Sequence, residues 1–242
     1  MSAALFAAKL ALGPVLLTQA RWLKRTAIRL PEPVGARCGL LGEGEPLLRL
    51  LVIGDSAAAG VGVADQAQAL ALPLAHILAK HLNGSVAWQL VAQSGVNTAQ
   101  ARTLLSKVQL EPADVVVTAL GVNDVSSQTS VEGFIKEQSA LWDDVQQITG
   151  ARWAVFSGLP PMHVLPAVPQ PLRWYLGRCA TGLDRALYQW TKGRHLGYCA
   201  LNWAADKGSI AQDGFHPGPT LYPRWAERLA GLLMQGRAQW IK

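Results

Sequence analysis

The chain has 242 residues, 50% of them apolar and 16% charged, a composition that excludes intrinsic disorder and suits one domain, or one domain with an extension. Its formal charge is +6, but residues 1–37 hold Lys9, Arg21, Lys24, Arg25, Arg29 and Arg37 against Glu32 alone, so the rest of the chain is close to neutral. A nucleic-acid reader would spread basic side chains over its folded surface, and that class is excluded.

The first 25 residues are apolar up to Thr18, apart from Lys9, and then turn basic and aromatic at Arg21, Trp22, Lys24 and Arg25. A spanning helix needs about 20 apolar residues without interruption. Here Lys9 and Gly13-Pro14 interrupt a shorter run. A secretory signal would carry its positive charge ahead of the apolar run, whereas this cluster follows it. Two readings remain open. In one, the arm is a helix packed on the domain, with Pro14 near its first turn. In the other, residues 1–25 make peripheral contact with the inner membrane surface of a cytoplasmic protein. Residues 31–47 are rich in Pro and Gly and read as an extended connector, so the arm and connector fill 1–47 and the domain fills 48–242.

From residue 48 onward, apolar runs alternate with longer amphipathic stretches. LRLLVIG is a strand ending at Gly54. QALALPLAHILAKHL has helical spacing and stops at Asn83-Gly84. SVAWQLVA is a strand, and NTAQARTLLSKV a helix capped by Asn97. ADVVVTALG is a third strand and SVEGFIKEQSALWDDVQQI a helix. RWAVFSGLPP is a strand running into a Pro-rich loop, followed by the helix LRWYLGRCATGLDRALYQWTK. HLGYCALNW is a fifth strand and TLYPRWAERLAGLLMQGRAQWI the last helix. Five short strands separated by helices predict a parallel sheet with helices on both faces, an α/β/α sandwich. Cys38, Cys179 and Cys199 lack metal-ligand spacing and read as reduced, buried thiols.

Sites in such sheets form beyond the carboxyl ends of the strands. There the sequence places Gly54-Asp55-Ser56, then Gly95, then Asn123-Asp124, and finally Asp213 with His216. Each residue alone has an ordinary use. Ser56 could cap a helix or hold a phosphate, Asn123 could serve a turn, and Asp213 could be a loop acid. The glycine pattern after Ser56 fits neither a dinucleotide fingerprint nor a phosphate loop with its Lys, and no Gly-x-Ser-x-Gly elbow is present. Together, however, the residues supply complementary chemistry. A Ser hydroxyl needs a base to become a nucleophile, and His suits that task near neutral pH. An imidazole needs an acceptor on its other nitrogen, and Asp213 lies three residues before His216. An ester carbonyl under attack needs donors for its oxyanion, which the N–H groups of Ser56 and Gly95 and the amide of Asn123 would supply. Asp55 reads as a support for the turn that presents Ser56, and Asp124 as a support for the Asn123 loop. The remaining histidines fit no metal pattern: His76 reads as part-buried on a helix, His81 and His195 as surface residues.

Gly54-Asp55-Ser56, Gly95, Gly121-Val122-Asn123-Asp124 and Asp213-Gly214-Phe215-His216, in that order, resemble the four blocks of the SGNH subgroup of the GDSL esterase/lipase family. The resemblance covers about residues 48–240. It implies a flavodoxin-like fold around a five-stranded parallel sheet, and a serine hydrolase without metal or other cofactor. By the same likeness Ser56 is the nucleophile, His216 the base and Asp213 its partner, with Ser56, Gly95 and Asn123 as oxyanion donors. The Ala-Ala-Ala-Gly run after Ser56 departs from the hydroxyl- or aromatic-bearing residues more usual there. Family members cleave carboxylic esters, thioesters or sugar O-acetyl groups, so the expected partner is a small-molecule ester. A sugar O-deacetylase, an acyltransferase and a catalytically silent membrane-associated binding module are the alternatives. The Pro-rich loop after the fourth strand offers Met162, His163, Val164 and Leu165 as an acyl-pocket wall favouring short to medium apolar chains.

Overall fold

The computed structural model describes residues 3–204 and 206–241. All five expected strands form: β2 (Leu48–Gly54), β3 (Val86–Ala92), β4 (Val115–Ala119), β5 (Trp153–Ser157) and β6 (Gly197–Cys199). A further strand precedes them, β1 (Cys38–Leu41), lying in the stretch read as an extended connector. It pairs antiparallel with β3, from Cys38 opposite Gln89 to Leu41 opposite Val86. The sheet therefore has six strands, in the order β1-β3-β2-β4-β5-β6, rather than five. Three of the four β1 residues are exposed, so this edge strand is held by backbone pairing and carries no apolar alternation. The five parallel strands, counted along the chain, lie in the order 2-1-3-4-5, which is the flavodoxin-like winding.

Nine α-helices are formed by the described residues: α1 (Ala3–Thr26), α2 (Ser56–Ala59), α3 (Ala71–Leu82), α4 (Thr98–Leu105), α5 (Val122–Ser126), α6 (Val131–Thr149), α7 (Leu172–Gly193), α8 (Leu221–Gln235) and α9 (Arg237–Trp240). Every residue of β4 and β5 is buried, because helices cover both faces of the sheet. Alternate side chains go to opposite layers. Leu48, Leu50, Val52, Val115 and Val117 pack with α3 and α8, whereas Leu51, Ile53, Val116 and Phe156 pack with α4, α6 and α7. Each such side chain contributes about 1.5–3 kcal/mol by leaving water.

Local chemistry sets the helix limits. Asn83 adopts the left-handed conformation and ends α3, with its N–H on the carbonyls of Ala79 and Lys80. The helix starts at Ala71 rather than at Gln68, where the predicted run begins; Gln68 instead closes a separate 3-10 turn, Gln66–Gln68, capped by Asp65. Asn97 and Gln100 close a reciprocal capping box at the start of α4. Gly236 splits the expected last helix into α8 and α9; a Cβ there would come within 2.3 Å of the Trp153 ring. Pro14 lies in the middle of α1, not in its first turn, on an exposed part of the helix where water can take the carbonyl that proline leaves free. All three cysteines are free, but only Cys199 is buried, Cys38 standing exposed on the edge strand.

Candidate active site

The ends of β2, β3 and β4 are level, since Gly54 pairs with both Ala92 and Ala119. The chain turns from β2 into α2 at Gly54, where a Cβ would sit 2.4 Å from the Cβ of Ala58 and 2.6 Å from the carbonyl of Ala119. Glycine alone permits that approach. Asp55 is buried, and its Oδ1 accepts the N–H of Ala57 at 3.0 Å, capping α2 and leaving Ser56 as the first helical residue. From the other side the hydroxyl of Tyr222, on α8, contacts the carbonyls of Ala57 and Val61 at 3.0 and 2.8 Å, fastening the short helix down.

His216 arrives on the loop between β6 and α8. An antiparallel bridge pairs Ile210 with Pro217, and the N–H of Ala211 donates to the His216 carbonyl at 2.8 Å. The imidazole Nε2 lies 2.9 Å from Ser56 Oγ, and Nδ1 lies 2.5 Å from Asp213 Oδ2. The other oxygen of Asp213 accepts the N–H groups of Phe215 and His216, each at 3.0 Å. Burial alone would push the Asp213 carboxyl up. Hydrogen bonds from the His216 ring and from both of these N–H groups outweigh burial and hold it below the usual carboxylate range. Ser56, read from one signal in the sequence, and the Asp213–His216 pair, read from another, thus form one continuous hydrogen-bonded row.

The segments that carry the expected oxyanion donors are joined to one another. Asn123 Nδ2 donates to the carbonyl of Val96 at 3.0 Å and, more weakly, to Asp55 Oδ2 at 3.3 Å. One amide therefore ties the residue after Gly95 to the residue before Ser56. Gly95 has a φ of 84° and stands exposed. The N–H groups of Ser56 and Gly95 have no partner among the described residues. Asp124 holds the neighbouring loop as read: its Oδ2 accepts both the N–H and the hydroxyl of Thr98, at 3.0 and 2.9 Å. Burial, with Asp124 as a charged neighbour, raises the Asp55 carboxyl to about 7.

Beside Ser56 and His216 opens an apolar cleft. Gly158, Leu159, Pro160 and Leu165 form one wall; Leu201, Ile210, Phe215 and Leu221 form another, with Trp225 and Ser157 among the deeper residues. Of the four wall candidates read from the sequence, only Leu165 lines this cleft. Residues Met162–Val164 form a 3-10 turn pressed on α7 at Gly177, where a Cβ would meet the His163 backbone at 3.0 Å. That docking sends Met162 into the core and His163 out to solvent, and leaves Val164 outside the lining. His76 is likewise exposed rather than part-buried, and His81 and His195 are exposed as read. No pattern near Ser56 announces the contribution of α8; the signal was the apolar stripe of that helix, in which Leu221 and Trp225 are four residues apart. Glu32 is a second residue missed by sequence reasoning: its Oε1 accepts the N–H of Ser94, next to Gly95, at 2.6 Å. Among the described residues, no group of three or more His, Cys, Asp or Glu side chains could hold a metal ion.

Residues 52–233 match the GDSL-like lipase/acylhydrolase family. A search of curated protein sequences found no match. Among solved structures, the psychrotrophic esterase EstA from Pseudoalteromonas sp. is similar at a TM-score of 0.59 and 16% identity, over 78% of this chain and 98% of that one. TesA is similar at 0.60 and 20% identity, over 77% and 98%. The extracellular lipase from Streptomyces rimosus is similar at 0.56 and 14% identity, over 75% and 99%. Those likenesses fix the fold. The family match, which spans both ends of the Ser56–His216–Asp213 row, makes this chain a member of the GDSL-like lipase/acylhydrolase family, a carboxylic ester hydrolase.

Proposed function

We propose that the protein cleaves carboxylic esters of short to medium acyl chains through an acyl-Ser56 intermediate. His216 Nε2 takes the proton of Ser56 Oγ as that oxygen bonds the ester carbonyl carbon. Asp213, on Nδ1, keeps the ring in the tautomer that leaves Nε2 free, and steadies the imidazolium. The carbonyl oxygen becomes an oxyanion, received by the N–H groups of Ser56 and Gly95 and by Asn123, whose long contact to Asp55 is the one exchanged. As the tetrahedral centre collapses, its bond to the alkoxy oxygen breaks and His216 returns the proton to the departing alcohol. Water, activated by the same ring, then attacks the acyl-serine; the acid leaves and Ser56 regains its proton.

The observation that carries this reading is the unbroken row Asp213–His216–Ser56, with contacts of 2.5 and 2.9 Å. The apolar lining beside Ser56 supports an aliphatic acyl group and offers little to a sugar. Hydrolysis of p-nitrophenyl acetate and butyrate by the wild-type chain and by Ser56→Ala tests it. The variant is expected to stay folded and to lose at least about 10³-fold in kcat. Undiminished turnover in the variant would remove Ser56 from the mechanism.

A further inference from the structure

One stripe of α1 is seated on the domain. Leu16 is buried, and Leu5, Leu12 and Leu23 pack against the core layer that includes α7. Gln19, on the same stripe, donates to the carbonyl of Gln170 at 2.5 Å and accepts the N–H of Leu172 at 3.0 Å. The rest of the circumference is not the polar face that a surface helix normally presents. Phe6, Leu10 and Leu17 are 52%, 66% and 60% exposed. Their spacing places them within about 40° of one another around the helix axis. Trp22 is 55% exposed further along the helix. The charges are one-sided: no acidic residue precedes Glu32, and Arg21, Lys24, Arg25 and Arg29 are exposed, with no ion pair among the described residues.

An exposed apolar stripe of this kind calls for an occupant. A second copy on the same face would set two all-cationic ends against apolar or cationic surface. No described helix is long and apolar enough to cross a membrane. We propose that the outer face of α1 docks the protein on an anionic phospholipid bilayer. Phe6, Leu10 and Leu17 enter the acyl boundary, and Arg21, Lys24, Arg25 and Arg29 meet lipid phosphates.

Cosedimentation of the full chain with vesicles tests the proposal, using phosphatidylcholine alone and phosphatidylcholine with phosphatidylglycerol in equal parts. Binding is expected to the anionic vesicles and to weaken as salt rises. Each of Arg21→Gln, Lys24→Gln and Arg25→Gln lowers partitioning roughly fivefold. Phe6→Glu, Leu10→Glu and Leu17→Glu together release the protein while hydrolysis of soluble p-nitrophenyl acetate stays at the wild-type rate, which shows the variant to be folded. Absence of binding to the anionic vesicles, or binding undiminished in the triple variant, overturns the proposal. So does a dimer that Leu10→Glu dissociates in the absence of any vesicle binding.

Discussion

The carboxylate of Glu32 accepts the N–H of Ser94 at 2.6 Å, one peptide before Gly95. Arg37 grips the same carboxylate and donates through its other terminal nitrogen to the Ala92 carbonyl at 2.7 Å. A connector residue outside the family match thus pins the loop after β3, which carries Gly95, a proposed oxyanion donor. Glu32 touches no reacting atom and is a positioning residue. Glu32→Ala is expected to lower kcat by about tenfold to a hundredfold with little change in KM, since a displaced donor weakens the transition state more than the ground state. Steady-state kinetics on p-nitrophenyl butyrate check this, and Glu32→Gln, which keeps an acceptor, should recover part of the loss.

The same clamp has a pH signature. Burial pushes the Glu32 carboxyl up, but hydrogen bonds from Ser94, and then the hydrogen bond and charge of Arg37, outweigh burial and set it below the ordinary Glu range. A lowered folded value means that the clamp's stabilisation is complete above that ordinary range and is lost as pH falls through the folded value. Thermal unfolding of wild type and Glu32→Gln at a series of pH values should show the widest gap in Tm near neutrality, closing in acid. A gap that widens in acid would contradict this assignment.

Asp213→Asn isolates the tautomer of His216. The asparagine carbonyl can still accept the N–H groups of Phe215 and His216, so the loop keeps its shape. Its amide nitrogen then faces Nδ1 and cannot accept from it. The loss in kcat is expected to be about 10⁴-fold, with unchanged near-ultraviolet circular dichroism.

Leu165 and Met162 separate the cleft from the core. Leu165→Ala should change the ratio of butyrate to acetate hydrolysis, because Leu165 lines the cleft beside Ser56 that is proposed to take the acyl chain. Met162 is 1% exposed and does not line it. Met162→Ala should therefore lower stability by about 2–5 kcal/mol and leave that ratio alone. Chain-length profiles alongside denaturant unfolding distinguish the two.

The contrast between these residues also marks where reading a sequence stops. The runs LRLLVIG and ADVVVTALG announce buried parallel strands by themselves, and the polar residues that follow such runs must collect at one rim, so Ser56, Asn123 and His216 could be placed together without coordinates. β1 could not be, because an exposed edge strand is held by backbone pairing and leaves no apolar period. Glu32 was hidden for a related reason: its partners are a backbone N–H and an Arg five residues away, neither of which has a local signature. The segment 158–177, read as a loop at the rim, is non-helical there only as far as Pro171, apart from one 3-10 turn, and which of its side chains faces the cleft is decided by the docking of His163 on Gly177. The far wall from α8 is a tertiary fact of the same kind.

The most direct test of the account is labelling of the full chain by a fluorophosphonate, with the adduct located by mass spectrometry. The account predicts a single adduct on Ser56, absent in Ser56→Ala and formed at least about 10²-fold more slowly in His216→Ala. An adduct on another residue, or labelling of Ser56 at the same rate without His216, would contradict it.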